Sequence, residues 1–137
     1  MSELRSENVV ANSPKSILER IELDGVVANV AAITNVRLRF FEYDTYEDAA
    51  RDTGGIEIGT VLTYASADCM FNTLQKDAMW NRHDARGYNC SLDIPANRVP
   101  NGGTYVRVEI VVQPSAGGAE PITLEPWILY LLPSAID

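Results

Sequence analysis

Five residues, Val36-Arg37-Leu38-Arg39-Phe40, restrict the backbone more than any other stretch of this chain. Apolar and charged side chains alternate at every position. Only an extended strand with one dry and one wet face puts such neighbours on opposite sides. The same period of two returns at Tyr88-Asn89-Cys90-Ser91-Leu92-Asp93-Ile94 and at Val106-Arg107-Val108-Glu109-Ile110. Turn-forming groups punctuate the rest: Asp24-Gly25, Thr53-Gly54-Gly55, Pro100-Asn101-Gly102-Gly103 and the Gly-rich stretch Pro114 to Pro121. About seven strands at such short intervals, without long intervening helices, describe an all-β, immunoglobulin-like antiparallel β-sandwich.

The expected strands are Ser16 to Leu23, Ile33 to Tyr43, Ile56 to Ala65 with a break at Gly59, Tyr88 to Ile94, Tyr105 to Gln113, and Ile122 to Leu132. Val26 to Ala32 reads as a short strand or an inward-leading coil. Asp44 to Asp52 is an acidic loop with room for one helical turn. Residues 66–80 fit either a helix behind Ser66, with Met70, Phe71, Leu74, Ala78 and Met79 as its stripe, or a strand through Leu74 and then a loop. Pro126 cannot donate to a ladder, so the last strand is expected at an edge or bulged there. Residues 1–15 show no periodicity and end at Ser13-Pro14. They are expected to form a flexible or partner-bound arm ahead of one domain over residues 16–137.

Length and charge narrow the partners. A chain of 137 residues buries roughly 65–70% of its unfolded surface, so its fold requires neither metal nor disulfide. With 19 acidic against 11 basic residues and a net charge of −8, it repels polyanions, and nucleic acid is not an expected partner. The first residues lack the apolar core of a secretory signal. The longest apolar run, Trp127 to Leu132, falls far short of the ~18 residues of a membrane span. Synthesis and folding in the cytoplasm are therefore expected, with Cys69 and Cys90 reduced. No zinc spacing surrounds either cysteine, and Cys90 sits on the apolar side of its strand as a buried thiol.

Chemical motifs are sparse. His83, beside Asp84 and near Asp77 and Trp80, has no converging ligand or nucleophile in the sequence and reads as a solvated loop histidine. Asp44, Glu47, Asp48 and Asp52 lack the alternating ligands and glycine of a calcium loop. No serine stands in a G-x-S-x-G elbow, and no phosphate-binding glycine loop is present. The expectation is a protein without catalytic activity, cofactor or metal. Tyr43, Tyr46, Tyr64, Trp80, Tyr88, Tyr105, Trp127 and Tyr130 are aromatics that either pack the sheets or, as an exposed row, bind sugar rings. The final strand, Trp127-Ile128-Leu129-Tyr130-Leu131-Leu132, is apolar on both faces. Such a strand needs cover, from the amino-terminal arm, from a loop, or from a partner contacting Trp127, Leu129 and Leu131.

Over residues 68–110 the chain resembles small Ig-like accessory proteins encoded among the structural genes of tailed phages and related bacterial elements. The residues that carry the resemblance are Phe71-Asn72-Thr73-Leu74-Gln75, Asp77, Trp80, Gly87-Tyr88-Asn89, Pro95, Gly103, Tyr105 and Val106-Arg107-Val108-Glu109, with Asp24-Gly25-Val26 ahead of them. After Gly-Tyr-Asn this chain has Cys90 where the family tends to have an aromatic residue. The resemblance implies a virion structural role, foremost as a capsid decoration or head-surface subunit binding coat protein in repeated copies. It supplies no catalytic or ligand-binding residue. A neck or tail component, or a carbohydrate- or surface-binding sandwich module, is the alternative expectation.

Overall fold

The structure is a computed structural model that describes residues 5–76 and 87–133. It is an all-β arrangement of two antiparallel-rich sheets, as the alternation predicts. The strands are β1 (Arg5–Val10), β2 (Lys15–Glu19), β3 (Glu22–Leu23), β4 (Val26–Val27), β5 (Ile33–Tyr43), β6 (Ile56–Glu57), β7 (Leu62–Ala65), β8 (Met70–Gln75), β9 (Tyr88–Ile94), β10 (Tyr105–Pro114), β11 (Ile122–Thr123) and β12 (Trp127–Leu132). Two short helices interrupt them, α1 (Tyr46–Arg51) and α2 (Ser66–Cys69). The larger sheet runs β1-β12-β10-β5, with β6 and β7 sharing the far edge of β5 and β11 added to β10. The smaller sheet runs β2-β9-β8, and β3 and β4 form a separate hairpin at Asp24-Gly25.

The three alternating runs become β5, β9 and β10, and their apolar residues make the core. Val36, Leu38 and Phe40 of β5, Val106, Val108, Ile110 and Val112 of β10, and Cys90, Leu92 and Ile94 of β9 join one buried cluster. The charged members of the same runs, Arg37, Arg39, Arg107 and Glu109, stay on the wet face. Residues 66–75 form a single helical turn, α2, leading into β8, and residues 77–80 lie outside the described residues. The strand through Leu74 is observed, and Met70, Phe71 and Leu74 lie in it rather than on a helical stripe, with Cys69 and Met70 as the buried anchors.

The amino-terminal segment differs from the expected flexible arm. Residues 5–10 are β1, a strand of the larger sheet, paired in parallel with β12 from Arg5 opposite Trp127 to Val10 opposite Leu132. Ala11 continues the pairing, its N–H donating to the Leu132 carbonyl at 2.8 Å. The chain then turns through Asn12, at φ 62°, and crosses to the smaller sheet as β2. The physical reason is that β1 buries only Val9 as an apolar residue, with Ala11 just after it. Its remaining anchor is a charged one, so hydrophobic periodicity gives no sign of a strand.

The last strand is corrected in the same way. Pro126 lies in the break between β11 and β12 rather than inside a strand. The edge of β12 is occupied by β1, so β12 is an inner strand.

Candidate functional site

Trp127, Leu129 and Leu131, the expected partner contacts, lie inside the core at 3%, 0% and 0% exposure. They point between the sheets, where they join the cluster built on β5, β9 and β10. They form no contact surface, and the cover that the strand requires comes from the chain itself. On the opposite face of β12, Ile128 is sealed by Tyr43 and Ala49, with Phe41 and Tyr105 packed alongside. Ala49 belongs to α1, the helical turn within the acidic stretch, which docks flat on the outer face of the larger sheet.

Local chemistry explains that docking. Thr45 caps α1, its hydroxyl oxygen accepting the Asp48 N–H at 3.1 Å. At the other end Arg107 donates from Nη1 to the Ala49 and Ala50 carbonyls at 2.8 and 3.2 Å, satisfying acceptors that a helix terminus leaves open. Asp52 ends the helix in the left-handed region at φ 54° and accepts the Tyr43 hydroxyl proton. Burial, and then that bond to Asp52, pushes the Tyr43 phenol well above its ordinary value. The acidic residues Glu47, Asp48 and Asp52 therefore form, cap or accompany a docked helix. Among the described residues no three carboxylate, thiol or imidazole groups converge as a metal site.

Beside α1 the outer face of the larger sheet opens into a cleft of about 230 Å³. Its walls are Tyr46 of α1, Tyr105 of β10, Ile128 and Tyr130 of β12, and Ser6, Glu7 and Asn8 of β1. The three tyrosines form a chain of rings, Tyr46 edge-on to Tyr105 at 6.1 Å and Tyr105 tilted against Tyr130 at 5.0 Å. Tyr46 is 42% exposed. Glu7 on the rim pairs with Lys15 at 2.9 Å. Ligand pockets usually span about 300–1,000 Å³. This smaller cleft suits a protruding side chain or one sugar ring rather than an extended cofactor. Its rings supply apolar contact and its hydroxyl, amide and carboxylate groups supply hydrogen bonds.

Sequence reasoning placed Tyr46, Tyr105 and Tyr130 among the aromatics without joining them. The join requires β10 to pair with β12, which sets Tyr105 opposite Tyr130, and α1 to dock beside Tyr105, and neither contact has a local signal. Of the other aromatics, Tyr43 and Trp127 are buried, and Tyr64 donates to the Asp93 carbonyl at 2.5 Å. Tyr88 is buried edge-on to Phe71 at 5.8 Å. Trp80, His83, Asp77 and Asp84 lie outside the described residues.

A second polar constellation lies beneath β1. Glu19 is 3% exposed and its carboxylate is fully engaged. Arg5 Nη1 reaches one oxygen at 2.5 Å, and Trp127 donates its indole N–H to the other at 2.6 Å. The Arg5 guanidinium also lies over the Trp127 ring at 4.6 Å and donates to the Glu125 carbonyl. Burial pushes the Glu19 carboxyl up, opposed by the charge and hydrogen bond of Arg5 and by the Trp127 bond. Trp127, expected at a partner surface, is thus the anchor of the first strand.

Gly87-Tyr88-Asn89, from the resemblance, is structural in every member. Gly87 has φ 104°, and a Cβ there would meet the Gln75 carbonyl at 2.6 Å. Asn89 is fully buried. Its amide oxygen accepts the Ile21 N–H at 2.7 Å, and its nitrogen donates to the Ile21 and Ala28 carbonyls at 2.9 and 2.7 Å. It ties the β3–β4 hairpin to β9. The two cysteines are free and buried. A hydrogen bond to Cys69, reinforced by burial, pushes the Cys90 thiol up and keeps it protonated.

No family model matches the chain, and no curated protein matches it. Among the described residues no helix is long and apolar enough to cross a membrane.

Proposed function

We propose that this protein is a non-enzymatic structural protein of a tailed-phage virion, a capsid decoration or head-surface subunit that binds coat protein in repeated copies. The support is the resemblance over residues 68–110, set on a two-sheet scaffold in which the motif's Gly87, Tyr88 and Asn89 serve folding. The observation that carries the reading is the tyrosine cleft on the outer face of the larger sheet. Tyrosine gives large contact area with few rotatable bonds and a polar tip, which is why it is enriched where proteins meet. Attachment runs through Tyr46, Tyr105 and Tyr130 with the neighbouring rim of β1, and coat protein supplies the side chain that enters the cleft.

Mass spectrometry of purified particles tests membership. The chain is expected in intact virions at a fixed ratio to coat protein, and its absence from them ends the proposal. Tyr105→Ala combined with Tyr130→Ala is expected to leave the circular dichroism spectrum unchanged and to strip the protein from particles.

The row of three rings also favours a second reading, a carbohydrate- or surface-binding module. Titrating labelled protein with a panel of oligosaccharides distinguishes the two. Shifts confined to Ser6, Asn8, Tyr46, Tyr105 and Tyr130 support the module, whereas a silent panel leaves the structural role. Labelling the protein on particles and imaging them separates a head position from a neck or tail position.

A further inference from the structure

We propose that residues 5–11 are exchangeable between copies, the first strand of one chain completing the larger sheet of a second copy. The groove that receives β1 is built for it in detail. Glu19 and Trp127 hold Arg5 at one end, Val9 and Ala11 enter the core in the middle, and β12 supplies a six-residue parallel ladder. Glu19, Trp127 and β12 lie in the receiving body, and none of their contacts with residues 5–11 requires that segment to belong to the same chain.

The link itself is short and contributes little. Residues 12–14 form the link, a turn closed by one hydrogen bond back to the strand, Ser13 N–H to the Val10 carbonyl at 3.1 Å. Its other bonds reach outward: Asn12 N–H to the Val99 carbonyl at 2.7 Å and the Asn12 side chain to the Pro100 carbonyl at 3.1 Å. Opening the turn breaks the Ser13 bond and the two Asn12 bonds, against which it frees Asn12 from the left-handed region, where non-glycine residues sit at a cost. Every other contact of β1 can be remade unchanged on a neighbour. Equal contacts inside and between chains, joined by a short hinge, are the condition under which identical elements swap. The partner is therefore a second copy of this chain. The result is independent of the virion proposal, because exchange is a property of the purified protein whether or not particles carry it.

The test uses two full-length variants, Asn8→Cys and Tyr130→Cys, at positions that sit directly opposite across β1 and β12. Adjacent strand positions fall within disulfide reach. The two are unfolded together under reducing conditions, refolded as a concentrated mixture and oxidised with glutathione disulfide. Exchange predicts a covalent dimer linked through positions 8 and 130 of different chains, identified by peptide mass spectrometry and doubled mass in light scattering. The double variant carrying both cysteines in one chain reports whether the position permits the bond. Closure of that internal bond with no cross-chain bond in the mixture overturns the proposal.

Discussion

Asn89 and Glu19 are both buried polar side chains that stitch strands together, yet they depend on different things. Asn89 is neutral, and its three hydrogen bonds all go to backbone groups of Ile21 and Ala28. Those groups belong to the β3–β4 hairpin and its approach, so the arrangement is complete once the chain folds locally on β9. Glu19 is ionisable, and its partners are Arg5 in the first strand and Trp127 in the last. It is satisfied only when the two ends of the chain meet. A buried amide fixes a fold without condition. A buried carboxylate makes the fold answer to the placement of one terminal strand, since a charge left without its partner is costly.

Predictions that break or sharpen this contrast run from large to small. Leu131→Asp, which places a charge in the core shared by both regions, is expected to abolish cooperative unfolding in a thermal melt. Asn89→Ala orphans the Ile21 N–H and the Ala28 carbonyl, while the Ile21 carbonyl keeps the Ala28 N–H at 3.0 Å; at about 1–3 kcal/mol for each buried group it is expected to lower stability in urea by at least ~2 kcal/mol. Arg5→Ala leaves Glu19 unpaired and is expected to cost about 3 kcal/mol near neutral pH. That loss should shrink as the solution is acidified and Glu19 takes up a proton. Asn89→Ala should show no such pH dependence, and equal pH slopes for the two variants would erase the distinction.

The sign follows from linkage. The folded pKa of Glu19 is raised, so its contribution is fully present below the ordinary carboxylate value and is lost as pH rises through the raised value. Glu57 behaves oppositely. Its bidentate bond from Arg39, at 3.0 Å on both oxygens, lowers its carboxyl. Its contribution is present above the ordinary value and is lost as pH falls through the lowered one. Glu19→Gln is expected to remove the first slope and leave the second, as read by denaturant midpoints across pH. The smallest effect belongs to Glu125→Lys, a change on the exposed approach to β12, expected within about 0.5 kcal/mol of the parent.

The same contrast explains what the sequence made legible. Where one face of a strand is apolar and the other charged, as in Val36 to Phe40 or Val106 to Ile110, the observed strand ends fall within a residue of those expected. Those strands are held by the signal that reading a sequence detects. β1 is held by its ladder to β12, by Val9 and by the Arg5–Glu19 ion pair rather than by an alternating apolar face, so Arg5-Ser6-Glu7-Asn8 looks like a polar tail. The apolar run at Trp127 to Leu132 correctly announced a strand with two dry faces. Of the covers open to it, the amino-terminal segment and a loop supply it: β1 pairs with its edge, and α1 seals Ile128 with Ala49, one alanine inside an acidic stretch that carries almost no hydrophobic signal. The cleft inherits both difficulties, since its rim is β1 and one wall is α1. Glu19 held the available clue: a carboxylate in an otherwise apolar strand segment, Ile17-Leu18-Glu19, demands a cation from elsewhere.

Hydrogen exchange at the Ala11 amide tests the central claim, that the chain's first strand is bound into the larger sheet through β12. Its N–H donates to the Leu132 carbonyl at 2.8 Å. The amide is predicted to be protected to a degree comparable with Leu131, and Arg5→Ala should weaken that protection before it touches β9. Exchange of Ala11 at the rate of an unstructured peptide, with Leu131 still protected, would contradict the account.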